Sequence, residues 1–583
     1  MSAHLFARQF LRQCCAALAA TTLCAQQAPP PVSPIPPPTI RVTTHMVLVD
    51  VVVTDKQGKA VNGLHADDFV VEENGKVQKI ASLSTPAETA PAAPALPPGI
   101  YSNKPQYRST GTPITVMLLD ALNTPFTDQA YARRQMLAFV RENFKPSDRM
   151  SLFALTGSLS VLQDFTSDPQ VLYTALQRYK PQTQNLTPGT PIAQSNGDGP
   201  ATTSSTIASL DASSLPLSDS GSNAGLTGGG GGGSAQLIAS AQAALLSFEG
   251  AQVAYAEDQR AVLTLNALSS LARILGGLPG RKNLIWVTGD LPFSLIPEDR
   301  TMTQDEIEEA QSGINTRRVG QHAAGNLAET FRQSHAEEIR ETASRLSSAQ
   351  VAVYPVDARG LSISTDIDAQ ETMREMARET GGRAYVNQNE IKVGVERAFA
   401  DESAAYTIGY YPDNKKIDGK YHSIKVKVKR DGVEIHNRRG YYAIDPTQVK
   451  GYKAQQEVAS ALGDIVPSTM VAFMAQVKPP AENSAPGKIG VTFLVDASTL
   501  SAEDVSGGKR LNLDIYANIY ADGKLVAQGG KKIDQVFDAN TYQQLVQKGL
   551  ATHLDLDAKR GQLRLAVQDS RTGMVGTINA TAP

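Results

Sequence analysis

Ile114-Thr-Val-Met-Leu-Leu-Asp-Ala-Leu-Asn-Thr124 is apolar and β-branched up to Asp120, and Gly111-Thr-Pro113 opens it. Such a run reads as a strand buried on both faces. Its one charge falls where strand gives way to loop, and in open parallel sheets that carboxyl end is where ligands bind. Asn123 and Thr124 follow with an amide and a hydroxyl. Oxygen groups so placed either cap a turn or offer ligands to a hard cation. The residues alone leave both readings open.

Outward from this strand, strand and helix alternate from 111 to 403. Helical spacing covers Thr127 to Phe144, and Met150-Ser-Leu-Phe-Ala-Leu155 reads as the next strand. Leu284-Ile-Trp-Val-Thr288 and Val351-Ala-Val-Tyr-Pro-Val-Asp357 are two more buried runs, each followed or ended by an acid, Asp290 or Asp357. The alternation predicts an α/β fold, a Rossmann-like doubly wound sheet. It also places Asp120, Asp290 and Asp357 on one rim. Residues 181–234 interrupt the pattern with Gly, Ser and Thr and are expected to be disordered.

The flanks read differently. Residues 1–25 carry Arg8 and Arg12 ahead of a short apolar run ending in Cys24-Ala25, the layout of a secretory signal peptide. All three cysteines, Cys14, Cys15 and Cys24, lie inside it, so the mature chain is expected to hold neither disulfide nor catalytic thiol. Residues 26–39 are a Pro-rich linker and 40–85 a small β module with a hairpin across Asn74-Gly75. A second linker spans 86–110, a β extension 404–445 and a third linker 446–465. Residues 466–583 alternate at period two, the pattern of a β-sandwich.

With 55 basic and 58 acidic residues in 583, nothing in the charge balance points to nucleic acid. No run after residue 25 is apolar enough to span a membrane. The expectation is an exported protein, periplasmic, cell-envelope or extracellular. No His-Glu-x-x-His, phosphate loop or Gly-x-Ser-x-Gly is present, so no enzyme is expected. A metal-assisted hydrolase built on Asp120, Asp290 and Asp357 is the sharpest catalytic alternative, and it lacks an evident general base.

Four stretches carry a family resemblance: Val51-Val-Val-Thr-Asp-Lys-Gln-Gly58 through Asp68-Phe69, Leu118-Leu-Asp-Ala-Leu-Asn-Thr124, Gly280-Arg-Lys-Asn-Leu-Ile-Trp286 and Val353-Tyr-Pro-Val-Asp-Ala-Arg-Gly360. On them residues 111–403 resemble a von Willebrand factor type A domain. Residues 40–445 are similar to the VWFA-related family of the acidobacterial type. The resemblance implies adhesion or protein–protein binding, with a protein or cell-envelope ligand. It also implies a metal-ion-dependent adhesion site for Mg²⁺, patterned Asp-x-Ser-x-Ser with a distant Thr and Asp. Asp120 and Thr124 match that pattern and Asp290 stands for the last acid. Leu122 replaces a hydroxyl and cannot ligate, so the site is partly degenerate. Thr187, Thr190 and Ser234 are the candidates for the distant hydroxyl. The alternative is an envelope scaffold that uses no metal.

Overall fold

The computed structural model describes residues 46–85, 96–104, 107, 114–145, 148–182, 255–256, 258–278, 280–290, 336–360, 367–387, 391–414, 417–445, 453–464, 466–480 and 487–582. The expected signal peptide, the Pro-rich linker, and Thr187, Thr190 and Ser234 of the insert lie outside them.

The apolar runs of the centre form one five-stranded sheet, in the order Val351–Asp357, Lys282–Thr288, Ile114–Asp120, Met150–Leu155, Leu159–Thr166. The first four are parallel, and Leu159–Thr166 turns back antiparallel at the edge. Those four are buried along their whole length, which is why their sequences do not alternate. Successive side chains feed opposite layers. Val116, Leu118, Leu284 and Trp286 pack on the helices at 258–275, Ala336–Ser348 and Ile367–Thr380. Met117, Leu119, Ile285 and Val287 pack on Phe126–Glu142, Pro169–Arg178 and Ile391–Ser403.

This sheet does not set the class of the chain, and the expected α/β, Rossmann-like doubly wound fold is corrected here. Among the described residues strand accounts for 42% and helix for 30%. Of 22 strands among the described residues, only four make parallel pairs, and the other four sheets are antiparallel throughout. The protein is mostly β. The physical reason is that several antiparallel partners, those of Val47–Asp55, Phe69–Glu73, Ile80–Ser84 and Ile100–Ser102, lie hundreds of residues away, where periodicity cannot see them.

The segments expected as a 40–85 module and a separate 404–445 extension are one sandwich. Val47–Asp55 pairs antiparallel with both Ala405–Tyr410 and Val433–Asn437. Phe69–Glu73 pairs with Tyr421–Val428 in the facing sheet. Val49, Val51, Phe69, Val71, Tyr406, Ile408 and Ile424 share its core. The central sheet is thus inserted in the chain between two halves of a β-sandwich.

The expected linkers also carry structure. Ile100–Ser102 pairs with Phe473–Lys478 as an edge strand of the carboxyl-terminal module. Ala454–Gly463 is a helix. Its Glu457, with Asp464 beside it, is tied to Arg273 and Arg345 on the central helices by ion pairs of 2.7–3.4 Å. In the last module Ile489, Val491 and Phe493 of one sheet meet Leu511, Leu513, Ile515 and Leu563 of the other. No helix among the described residues is long and apolar enough to cross a membrane.

Candidate functional site

Parallel register brings the predicted rim together. Leu119 stands opposite Val287 and Asp357 opposite Thr288, so Asp120, Thr288 and Asp357 end their strands at the same level. Asp290 follows Thr288 directly, and the Thr288 hydroxyl lies 3.0 Å from Asp120 Oδ2 and 2.6 Å from the Asp290 carbonyl oxygen.

Asp120 is only 2% exposed, and its carboxylate is fully engaged. Oδ1 accepts from the backbone N–H of Leu122 and Asn123 at 3.0 and 2.9 Å. Oδ2 accepts from Asn123 Nδ2 at 2.8 Å and from the indole Nε1 of Trp286 at 2.9 Å. The Thr288 hydroxyl is the fifth contact, with one proton to share between Asp120 and the Asp290 carbonyl. Burial pushes the Asp120 pKa up, and these hydrogen bonds pull it back only in part.

The rest of the loop is closed in the same way. Thr124 Oγ1 accepts from the Gly289 N–H at 2.9 Å. Leu122, at the position where a hydroxyl was expected, turns its side chain into the core beneath the sheet. Gln129, buried on the following helix, sets Nε2 2.7 Å from the Thr124 carbonyl and 3.2 Å from that of Ala121. Asp357 is occupied by Arg359, whose Nε and Nη2 donate to its two oxygens at 2.9 and 3.1 Å.

Mg²⁺ requires several oxygens free to face it. A carboxylate has about four lone-pair positions, and five polar groups already crowd those of Asp120. Two of these, Asn123 Nδ2 and Trp286 Nε1, present protons where a cation would have to sit. Among the described residues no group of three or more His, Cys, Asp or Glu side chains is placed to hold a metal. The residues gathered here do not fit a Mg²⁺ site as they are arranged. One buried acceptor, Asn123 Oδ1, lacks a donor, and a single neutral oxygen is not a cation site.

Sequence reasoning missed three members of this cluster. Trp286 and Thr288 were visible as Trp286-Val-Thr288-Gly-Asp290, one strand over from Asp120. Thr264 had no signal. It reaches the cluster from the 258–275 helix, its Oγ1 accepting from Asn123 Nδ2 at 3.0 Å and donating to the Arg260 carbonyl.

No protein-family model matches the chain, and no curated protein matches it. Among solved structures, one match is the crystal structure of three N-terminal domains of the type V pili tip protein Mfa5 from Porphyromonas gingivalis. The two are 10% identical, the match covers 86% of this chain and 96% of that one, and the TM-score is 0.24. At that TM-score the likeness carries no argument about fold or function.

Proposed function

We propose that this chain is an exported, non-catalytic binding protein that engages protein partners at the cell envelope without a divalent cation. The rim that would serve catalysis or metal-dependent grip has spent its carboxylates internally, Asp120 on five polar neighbours and Asp357 on Arg359. That supports a reading with no general base or open coordination position at Asp120 or Asp357. The resemblance carried by Leu118–Thr124 and Val353–Gly360 supports adhesion as the class of function.

The observation that carries the reading is at the other end of the chain. Lys524–Phe537 is a 14-residue strand that pairs on one side with Gly508–Ala521 and on its outer side with no strand among the described residues. Leu525, Val526 and Val536 on it are 47%, 40% and 45% exposed. An edge strand of this length, with exposed apolar side chains at its two ends, is a template for adding a strand from another protein.

Binding of the labelled mature chain to envelope material from the producing cell, measured in Mg²⁺ and in EDTA, tests this. Binding is expected to be unchanged by EDTA and to weaken about tenfold in a Val526→Lys/Val536→Lys variant, the loss of roughly 1.4 kcal/mol. Abolition by EDTA would overturn the cation-free reading. Saturable binding to no partner at all would leave the envelope scaffold in its place.

A further inference from the structure

The edge strand Lys524–Phe537 is complementary to itself. Its register with Gly508–Ala521 is unbroken from Ala527 to Phe537. Along that stretch Ala527, Ile533 and Phe537 turn inward and pack on the core of the carboxyl-terminal module. Gly529 shares their face, since a side chain there would meet Leu554 and Leu556 of the other sheet. Strand alternation then sends Gly530, Lys532, Asp534 and Val536 to the outer face.

When a second copy adds this strand antiparallel to extend the sheet, a two-fold axis perpendicular to the sheet relates the two. Inward residues must face inward residues, because a slip by one turns every side chain to the wrong face. The axis therefore passes through a residue and not between two. Centres at Lys531, Lys532 or Asp534 set a charge against its own copy, which destabilises strand pairing. Within Ala527–Phe537, Ile533 is the centre that sets opposite charges face to face. Lys532 of each copy then stands opposite Asp534 of the other, on both sides of the axis.

The neighbouring strand continues the pattern. Within one chain Asp514 stands opposite Lys532, and Arg510 donates to the two oxygens of Asp534 at 2.6 and 2.7 Å. With Ile533 on the axis, Asp514, Lys532 and the other copy's Asp534 form a row whose sign alternates from strand to strand. Shape matches as well. Gly530 comes opposite Val536, which is 45% exposed, and Gly529 opposite Phe537, so each bulky side chain meets a residue that has none. Lysines on an edge often keep other strands away. A Lys and an Asp placed evenly about one residue instead attract their own copy.

We infer that Lys524–Phe537 pairs antiparallel with the same strand of a second copy, centred on Ile533, joining two carboxyl-terminal sheets into one. The pairing runs from Gly529 to Phe537 in each copy. It rests on the reading of this strand as one that accepts another, and it names the strand accepted.

The test is analytical ultracentrifugation of the full mature chain over roughly 1–100 μM, the range of a modest reversible interface. A monomer–dimer equilibrium is expected. Lys532→Glu and Asp534→Lys should each raise the dissociation constant about tenfold, because like charges then face each other twice. Both side chains are exposed, so neither change disturbs the core. An equimolar mixture of the two variants should recover the dimer, since one edge is then acidic and the other basic. Ile533→Cys should cross-link to its own copy on mild oxidation, because opposed Cα atoms in such a pair lie about 4.5–5.5 Å apart, within disulfide reach. A dimer that both charge variants leave unchanged would overturn the inference. So would a wild-type chain that stays monomeric while Val526→Lys/Val536→Lys still weakens envelope binding, and the strand-accepting edge would then survive. A monomer whose envelope binding ignores that variant would remove both.

Discussion

The two ends of the central sheet handle buried charge in opposite ways. At the carboxyl ends one carboxylate, Asp120, is surrounded by donors until nothing is left over for a ligand. At the amino ends Arg281, Lys282 and Arg438 hydrogen-bond neutral groups and feel Asp50 and, for Arg281, Asp401 without pairing directly, and Arg438 Nε and Ser347 Oγ lack a partner. The difference teaches where to look for ligands in such a sheet. Position at the carboxyl rim is a prior for binding, but the count of donors against acceptors decides whether anything can bind. Here the expected rim is saturated and the opposite end is not.

The largest test breaks the saturated end. Asp120→Ala leaves the Trp286 indole N–H and the Asn123 backbone N–H buried with no acceptor, while the Leu122 N–H keeps the Leu155 carbonyl and the Asn123 amide keeps Thr264 Oγ1. At about 1–3 kcal/mol for each group that water cannot reach, a loss of about 3–5 kcal/mol is expected. Trp286 is the sole tryptophan, so its fluorescence through a denaturant titration reports both the loss of stability and the change around the indole. Millimolar Mg²⁺ should not move the wild-type midpoint. A metal-dependent rise that vanished in the variant would mean that the cluster rearranges into a cation site and that the contrast between the two ends is wrong.

How much of this was legible in the sequence follows from which interactions are local. The Ile114–Asp120 run showed its burial because both faces are apolar, and Asp120 and Thr124 showed their place because they end it. The sandwich did not show, because Val47–Asp55 finds its partners at Ala405–Tyr410 and Val433–Asn437. Ile100–Ser102 hid inside a stretch next to Ala and Pro, since three residues are too few for a periodic signal. Weight given to the buried central runs therefore tipped the fold class toward α/β. At the site, Leu122 announced only that it cannot ligate. That it faces the core, and that Thr264 arrives from a helix some 140 residues on, are matters of tertiary register.

A second test sharpens the account of the amino end through pH. His436 is held down at about 4 when folded, against about 6.5 in an unfolded chain. Between those values the unfolded chain binds the proton that the folded one refuses. The stabilisation is therefore complete above about pH 6.5 and is lost as pH falls toward 4. The expected loss from this residue is about 2 kcal/mol, read as the difference in unfolding free energy between pH 7 and pH 4.5. His436→Gln should remove that share of the slope. A His436 imidazole titrating by NMR near 6.5 in the folded protein would mean that neither burial nor Arg383 and Arg281 disfavours its charged form.

The smallest effect asks how redundant the donors around Asp120 are. Thr288 is fully buried, and its hydroxyl can serve Asp120 or the Asp290 carbonyl, but one proton cannot serve both at once. Thr288→Val keeps the shape and removes the hydroxyl. Asp120 still has four N–H donors, so the cost should be that of a single hydrogen bond, about 1 kcal/mol. Equilibrium unfolding followed through Trp286 measures it. A loss near that of Asp120→Ala would show instead that the hydroxyl orders the whole loop, because Thr288 is the group that joins Asp120 to Asp290. A loss near zero would mean that the proton resides on the Asp290 side and that Asp120 is satisfied by its N–H groups alone.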